Sequence, residues 1–243
     1  MRVDVLGVGF DSLTLVGAAG RAFELMNTPG GHYAVTPNSE ILVAVKDDPE
    51  ALRALSDADM VLPDGIGVVI GSKILGRPLP ERVAGIDFAQ SLFGHAGGKR
   101  FFLLGAADGV AQRAAERLGA MYPAIEICGC HDGFFTDDSP IVELIRAARP
   151  DILFVCLGAP KQEKWMLEHK DDFGDCLMAG LGGALNVWAG DVKRAPDAFI
   201  RLGLEWLYRL FSQPSRIGRM TRLPYFLWLV LKQKRAERKG GAV

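Results

Sequence analysis

The run PDILFVCLGAPKQEKW, Pro150 to Trp165, sets three polar side chains directly behind an apolar stretch. Ile152 to Cys156, with Leu157 after them, read as a parallel strand buried on both faces. Gly158 and Pro160 end it, and Lys161, Gln162 and Glu163 open a helix. Ligands of open α/β sheets sit just beyond the carboxyl ends of strands, so this cluster stands where a substrate is met. Val61-Leu62-Pro63-Asp64-Gly65 puts a carboxylate in a second such place. Asp64 has two readings: N-cap of a helix over Val68–Leu75, or general base, a task for which partial burial raises a carboxyl pKa. Thr36-Pro37-Asn38 closes another strand, and Thr36 and Asn38 either cap the helix Ser39–Lys46 or hold sugar hydroxyls. Arg82, after Pro80-Glu81, is a loop charge or an anion contact. Together these positions point to an enzyme acting on a charged small molecule.

Several chemistries lack their residues. Gly7-Val8-Gly9 starts like a dinucleotide fingerprint, but Ser12 stands where the third glycine belongs, so a tight turn is expected. There is no phosphate-loop lysine motif, and His32, His95, His131 and His169 form no His-Glu-x-x-His. Cys128-Gly129-Cys130-His131 has no second pair to complete a zinc site, and Cys156 and Cys176 read as small core hydrophobes. No Asp-x-Asp pair closes a strand to hold a divalent metal on a diphosphate. The expectation is therefore a reaction without metal or cofactor, with arginines in the metal's place.

The elements that must position these residues are strands at Val3–Val8, His32–Thr36, Met60–Leu62, Arg100–Leu104, Ile125–Cys130, Ile152–Leu157 and Cys176–Ala179. Helical patterns lie between most of them, at Thr14–Met26, Gly109–Met121, Ile141–Ala148 and Lys161–Lys170. Alternation of this kind predicts an α/β fold, a Rossmann-like, mostly parallel sheet with helices on both faces. The 243 residues suit one such catalytic domain, residues 1–197, and a helical appendage, residues 198–243. Met1-Arg2-Val3-Asp4 leads straight into the first strand, so the cytoplasm is the expected compartment.

Charge is uneven. Residues 201–243 hold ten Lys or Arg and two acids, a local +8 that leaves −9 on the rest of a chain whose total is −1. An acidic body with a basic tail predicts an anionic partner for the tail. Phe199–Phe211 reads as an amphipathic helix, Arg216–Arg222 as a basic turn, and Leu223-Pro224 as a break. Tyr225–Leu231 (YFLWLVL) is apolar on every side and precedes the basic run Lys232–Lys239. Seven apolar residues fall short of the ~20 that span a bilayer, but they suit its interface, with Tyr225 and Trp228 at headgroup level. The alternatives are a helix packed on the body or on a second copy. A nucleic-acid contact would not need the continuous apolar surface.

The chain resembles the WecG/TagA/CpsF glycosyltransferases, family 26 of the sequence classification. The likeness rests on Thr36-Pro37-Asn38, Pro63-Asp64-Gly65-Ile66-Gly67, Glu81-Arg82-Val83-Ala84-Gly85 and Phe102-Leu103-Leu104-Gly105-Ala106. It continues through Asp132-Gly133-Phe134-Phe135, Leu157-Gly158-Ala159-Pro160-Lys161-Gln162-Glu163, Arg194-Ala195-Pro196 and Gly203-Leu204-Glu205-Trp206-Leu207-Tyr208-Arg209-Leu210. Asn186 departs from it, standing where the family often has Asp. The resemblance implies a GT-E fold and inverting, metal-independent transfer of a hexose from a UDP-sugar to a polyprenyl-diphosphate-linked sugar. N-acetylmannosamine, its uronic acid, glucose and galactose all fit as donors. The setting is the cytoplasmic membrane face, in cell-surface polymer synthesis, with self-association left open.

On that resemblance Asp64 is the base and Thr36 and Asn38 lie near the sugars. Arg82 and Gln162 contact substrate. Arg209, Arg216, Arg219 and Arg222 form a membrane-induced lid on the diphosphate. Gly105, Gly158, Lys161, Glu163 and Arg194 complete the expected substrate-binding set. The competing readings are a non-catalytic nucleotide- or lipid-binding module and a nucleotide-dependent dehydrogenase, the latter disfavoured by the broken Gly-x-Gly pattern.

Overall fold

The computed structural model describes residues 1–201, 203–212 and 222–240. The first apolar run is a hairpin, not one strand: β1 (Arg2–Val5) pairs antiparallel with β2 (Val8–Asp11). Leu6 and Gly7, with φ of 56° and 85°, form the two-residue turn between them, and positive φ at both positions matches the twist of a tight hairpin. Alternation places Val3, Val5, Val8 and Phe10 inside. The Gly-x-Gly pattern therefore lies in a hairpin and does not lead from a strand into a helix. Asp11 accepts from the Val61 amide at 2.8 Å, which lays the hairpin against the edge of the main sheet.

The remaining strands are β3 (His32–Val35), β4 (Met60–Val61), β5 (Arg100–Gly105), β6 (Glu126–His131), β7 (Ile152–Cys156) and β8 (Leu177–Gly180). They pair in parallel in the order β4-β3-β8-β7-β5-β6. Before, between and after them run α1 (Leu15–Met26), α2 (Ser39–Val45), α3 (Pro49–Ser56), α4 (Ile66–Leu75), α5 (Gly85–Phe93), α6 (Val110–Met121), α7 (Ser139–Ala148), α8 (Lys161–Glu168) and α9 (Ala184–Ala189). Central strand residues alternate between two cores, as period-2 geometry requires. Ile152, Phe154 and Cys156 enter one with α1, α5, α6 and α9, and Leu153 and Val155 enter the other with α2, α3, α7 and α8. A register shift in the β5–β6 ladder sends Cys128 to the second core and Cys130 to the first, so these two thiols do not converge on one metal.

The C-terminal region differs from the sequence reading in two places. Phe199–Phe211 is two short helices, α10 (Asp197–Arg201) and α11 (Glu205–Ser212). They are parted at Gly203, whose φ of +70° ends a helix. Leu223-Pro224 is no break: both lie in the first turn of α12 (Arg222–Gly240), where a missing N–H forfeits no intrahelical bond.

Helix α12 is seated on α4. Gly67 and Gly71, one turn apart, leave room for Leu223 and for Phe226 with Val230; a β-carbon at Gly71 would lie 3.1 Å from the Phe226 ring. Phe226 and Val230 are fully buried in the second core. Gln233 donates to Asp4 at 2.6 Å and accepts from the Leu6 amide at 2.9 Å, and Arg77 meets Glu237 at 2.7 Å. Tyr225, Trp228 and Leu231 remain exposed, Trp228 at 53%. No helix among the described residues is long and apolar enough to cross a membrane. Phe226→Ala is expected to lower stability by about 3–5 kcal/mol through the cavity it leaves. Trp228→Ala should stay within about 0.5 kcal/mol of the parent. Urea-unfolding midpoints compare the two.

Candidate active site

Strands β3 and β8 are neighbours whose outgoing helices part: α2 and α3 cover one face, α9 the other. Helix α8, leaving β7, takes the same side as α2. The chain opens where adjacent connections diverge, and there, past the carboxyl ends of β3, β4, β7 and β8, lies a cleft of about 770 Å³. Thr36, Asn38, Asp64, Gly158 and Gln162 line it. Arg194 and Arg222 line it as well. The structure thus brings seven of the expected residues together.

Thr36 is buried and donates its hydroxyl to the Gly180 carbonyl at 2.9 Å, tying the ends of β3 and β8. It is not the cap of α2. Asn38 is, accepting from the Glu40 and Ile41 amides at 2.9 and 3.0 Å. Asn38 also lines the cleft, so capping and a place at the site coexist. Asp64 does not cap α4. The helix begins at Ile66 and Gly65 occupies the cap with φ +129°, where a side chain would be strained and within 3.2 Å of Asn38. The turn is held through the Asp64 amide, 3.0 Å from the Leu62 carbonyl and 3.3 Å from that of Pro37.

Arg82 is no free loop charge. Its Nη1 donates to Glu205 Oε2 at 2.9 Å and its Nη2 lies 3.6 Å from Asp87. Burial works against its charge, but the Glu205 hydrogen bond and the charges of Asp64, Glu205 and Asp87 outweigh it and hold the guanidinium above its ordinary pKa. Asp87 also pairs with Arg194, whose Nη1 reaches Gln90 at 3.3 Å. On the opposite wall the Gln162 amide is fixed at both ends: its oxygen accepts from the Gly182 amide at 3.0 Å and its nitrogen donates to Glu163 at 2.9 Å. Glu163 is buried and its other oxygen has no partner among the described residues. Burial pushes its carboxyl above the usual range.

Other expected residues stand apart. Lys161 turns to the Gly133 carbonyl and lies 4.6 Å over the Phe135 ring. Gly105 packs its α-carbon on Cys156, where a β-carbon would come within 2.4 Å of a carbonyl oxygen. Lys161, Gly105, Arg82 and Glu163 are not among the cleft's lining. Arg216 and Arg219 lie outside the described residues, as does the side chain of Arg209. Sequence reasoning assigned no role to Lys193, which lines the cleft, or to Asp87 and Glu205 behind it. Asn186, noted as a departure from the family pattern, also lines it. Glu205 is one of two acids in a tail of ten bases, a rarity that marks it out but does not name Arg82 as its partner.

A doubly wound parallel sheet with a polar cleft at its switch point, a carboxylate on one strand end and arginines around it, defines an α/β enzyme. The chain belongs to the glycosyl transferase WecG/TagA/CpsF family, whose model matches residues 3–240. A relative from Bacillus spizizenii, an N-acetylglucosaminyldiphosphoundecaprenol N-acetyl-beta-D-mannosaminyltransferase, is 43% identical over 211 residues, 86% of this chain and 82% of its own. Two Staphylococcus aureus proteins of the same name are each 35% identical over 243 residues, 98% of this chain and 96% of theirs.

Glu163 gives a pH signature. With its native pKa raised, the unfolded chain releases this proton first, near pH 4.3, and stability then falls with rising pH until native Glu163 also ionises. Glu163→Gln keeps an acceptor for Gln162 and removes that slope. Its stability relative to the parent should rise as pH increases above about 4, read from urea midpoints between about pH 4 and 8.

Proposed function

We propose that this chain transfers an N-acetylmannosamine-like sugar from a UDP-sugar to a polyprenyl-diphosphate-linked sugar, with inversion and without a metal. The carrying observation is the Asp64 carboxylate in the cleft, in electrostatic contact with Arg82. The relatives' names supply the sugar and the lipid diphosphate acceptor, and the match over most of each chain supports the same pair here.

The chemistry follows from that arrangement. A sugar hydroxyl is a poor nucleophile at neutral pH. Asp64 takes its proton as the oxygen attacks the anomeric carbon, and the bond to the nucleoside diphosphate breaks with its electron pair on the departing oxygen. With Asp64 acting as base on the acceptor hydroxyl and the acceptor oxygen itself attacking the anomeric carbon, the transfer is a single displacement, hence inversion. Lys193, Arg194 and Arg222 line the cleft as cations for the diphosphate charge, and fixed donors in a dry site stabilise developing charge without reorganising. Asn38 offers its amide to sugar hydroxyls, and Gln162, held by Gly182 and Glu163, shapes the wall beside it.

The tail supports the lipid-linked acceptor. Tyr225 and Trp228 stack at 5.6 Å with Lys232 over the indole, on the face of α12 away from the core, and Arg222 starts that helix at the cleft. An aromatic and basic face suits the anionic inner surface of the cell membrane, with the enzyme held peripherally.

Asp64→Asn should retain fold and donor binding and lower turnover by about two to four orders of magnitude, assayed with a short-chain polyprenyl-diphosphate acceptor in excess chelator. Parental turnover in that variant removes Asp64 from the role, and a parent that needs magnesium or manganese removes the metal-free mechanism. Replacing Tyr225, Trp228 and Leu231 with Ser should weaken sedimentation with anionic vesicles at unchanged thermal stability. Vesicle binding indifferent to these changes and to salt would mark the exposed face as having another use.

A further inference from the structure

We propose that Glu205 is a positioning residue for the reaction: by holding Arg82, it keeps that guanidinium from being given over to Asp64. The proposal rests on the reading of Asp64 as the base. Gly203, at φ +70°, packs on the side chain of Ile66, with a β-carbon there only 3.1 Å from Ile66 Cγ1. Ile66 opens α4 two residues after Asp64. This close approach delivers Glu205, the first residue of α11, to the back of the cleft. Glu205 is 6% exposed. An ionised carboxylate that far from water needs a cationic partner, and Arg82 is one, at 2.9 Å.

Arg82 is thereby shared. Glu205 takes one terminal nitrogen and Asp87 lies 3.6 Å from the other, while the Val83 amide, bonded to the Pro63 carbonyl at 3.0 Å, sets Arg82 beside Asp64, whose charge also acts on it. Asp87 is shared in turn with Arg194, and Lys193 and Arg222 also line the cleft. A guanidinium committed to Asp64 would stabilise the ionised carboxylate and weaken it as a base, because proton transfer is best served by a pKa near the working pH. Two competing carboxylates behind Arg82 limit that commitment. The same contact makes α11, a piece of the basic tail, part of the electrostatics of the base.

Glu205→Gln keeps the shape and an acceptor for Arg82 but removes the charge. Initial rates with UDP-N-acetylmannosamine and a short-chain polyprenyl-diphosphate-N-acetylglucosamine are followed from about pH 5 to 9, alongside thermal melting. The expected result is kcat lowered about tenfold, donor KM changed less than about threefold, and the acid limb of kcat/KM moved down by about half a pH unit. Asp87→Asn, which strips Arg82 of its other carboxylate, should move the limb the same way. An unmoved limb in whichever of the two variants folds overturns the proposal, even if kcat drops, since a packing role alone shifts no pH profile. Failure of the base reading is separate and shows as parental turnover in Asp64→Asn.

Discussion

The pairing of β3 with β8 is the constraint on which the rest of the molecule depends. It joins the first strand of the parallel sheet to the last, His32 against Leu177 and Ala34 against Ala179. Because the helices leaving these strands go to opposite faces, no side chain from either layer fills the space at their carboxyl ends. Thr36 fastens the opening by bonding to Gly180 across the seam. The glycines and prolines of the turns after β4, β7 and β8 then let short segments reach the cleft without closing it. A fold built to bury apolar strands on both faces thus leaves a polar gap, and Thr36, Asn38, Asp64, Gln162, Arg194 and Arg222 line it.

Charge at the back of that gap is arranged as a ladder, not as isolated pairs. Asp64, Arg82, Glu205, Asp87 and Arg194 each face a neighbour of opposite sign, and the partly buried members would be destabilising if left alone. Such ladders add little net stability, and apolar residues of similar volume would serve the fold as well. On the proposed reaction, this ladder holds an anion and cations apart at fixed positions. The opposite wall uses a different device: Glu163, stripped of water, orients the Gln162 amide, which in turn secures the turn after β8.

The sheet was legible because a strand buried on both faces is written as a contiguous apolar run, as Ile152–Cys156 is. The same rule misled at Val3–Val8, where an apolar run contains a turn and only Gly7 betrays it. Asp64, Thr36 and Asn38 were legible because strand ends put them in the ligand position whatever their detailed bonding. Glu205 was not, since its partner Arg82 lies 123 residues away and no local pattern encodes that meeting. Nor could YFLWLVL reveal which side faces inward. An all-apolar helix has no moment, and only Gly67 and Gly71 on a distant helix decide that Phe226 is buried while Trp228 is not. An otherwise continuous amphipathic rhythm hides the helix break at Gly203, and Pro224 marks a helix start and not a break because it falls in a first turn.

The seat of α12 on the Gly67–Gly71 groove bears on how this protein is cut. Phe226 and Val230 belong to the same core as Val35 and Met178. Trimming the chain ahead of Arg222 to obtain a simpler specimen would therefore uncover a furrow about two helical turns long, floored by glycine and walled by apolar side chains. Such a furrow is a ready seat for any amphipathic helix, including one from a neighbouring molecule. A shortened form that elutes as an oligomer would then report a wound in the core and not the native state of assembly.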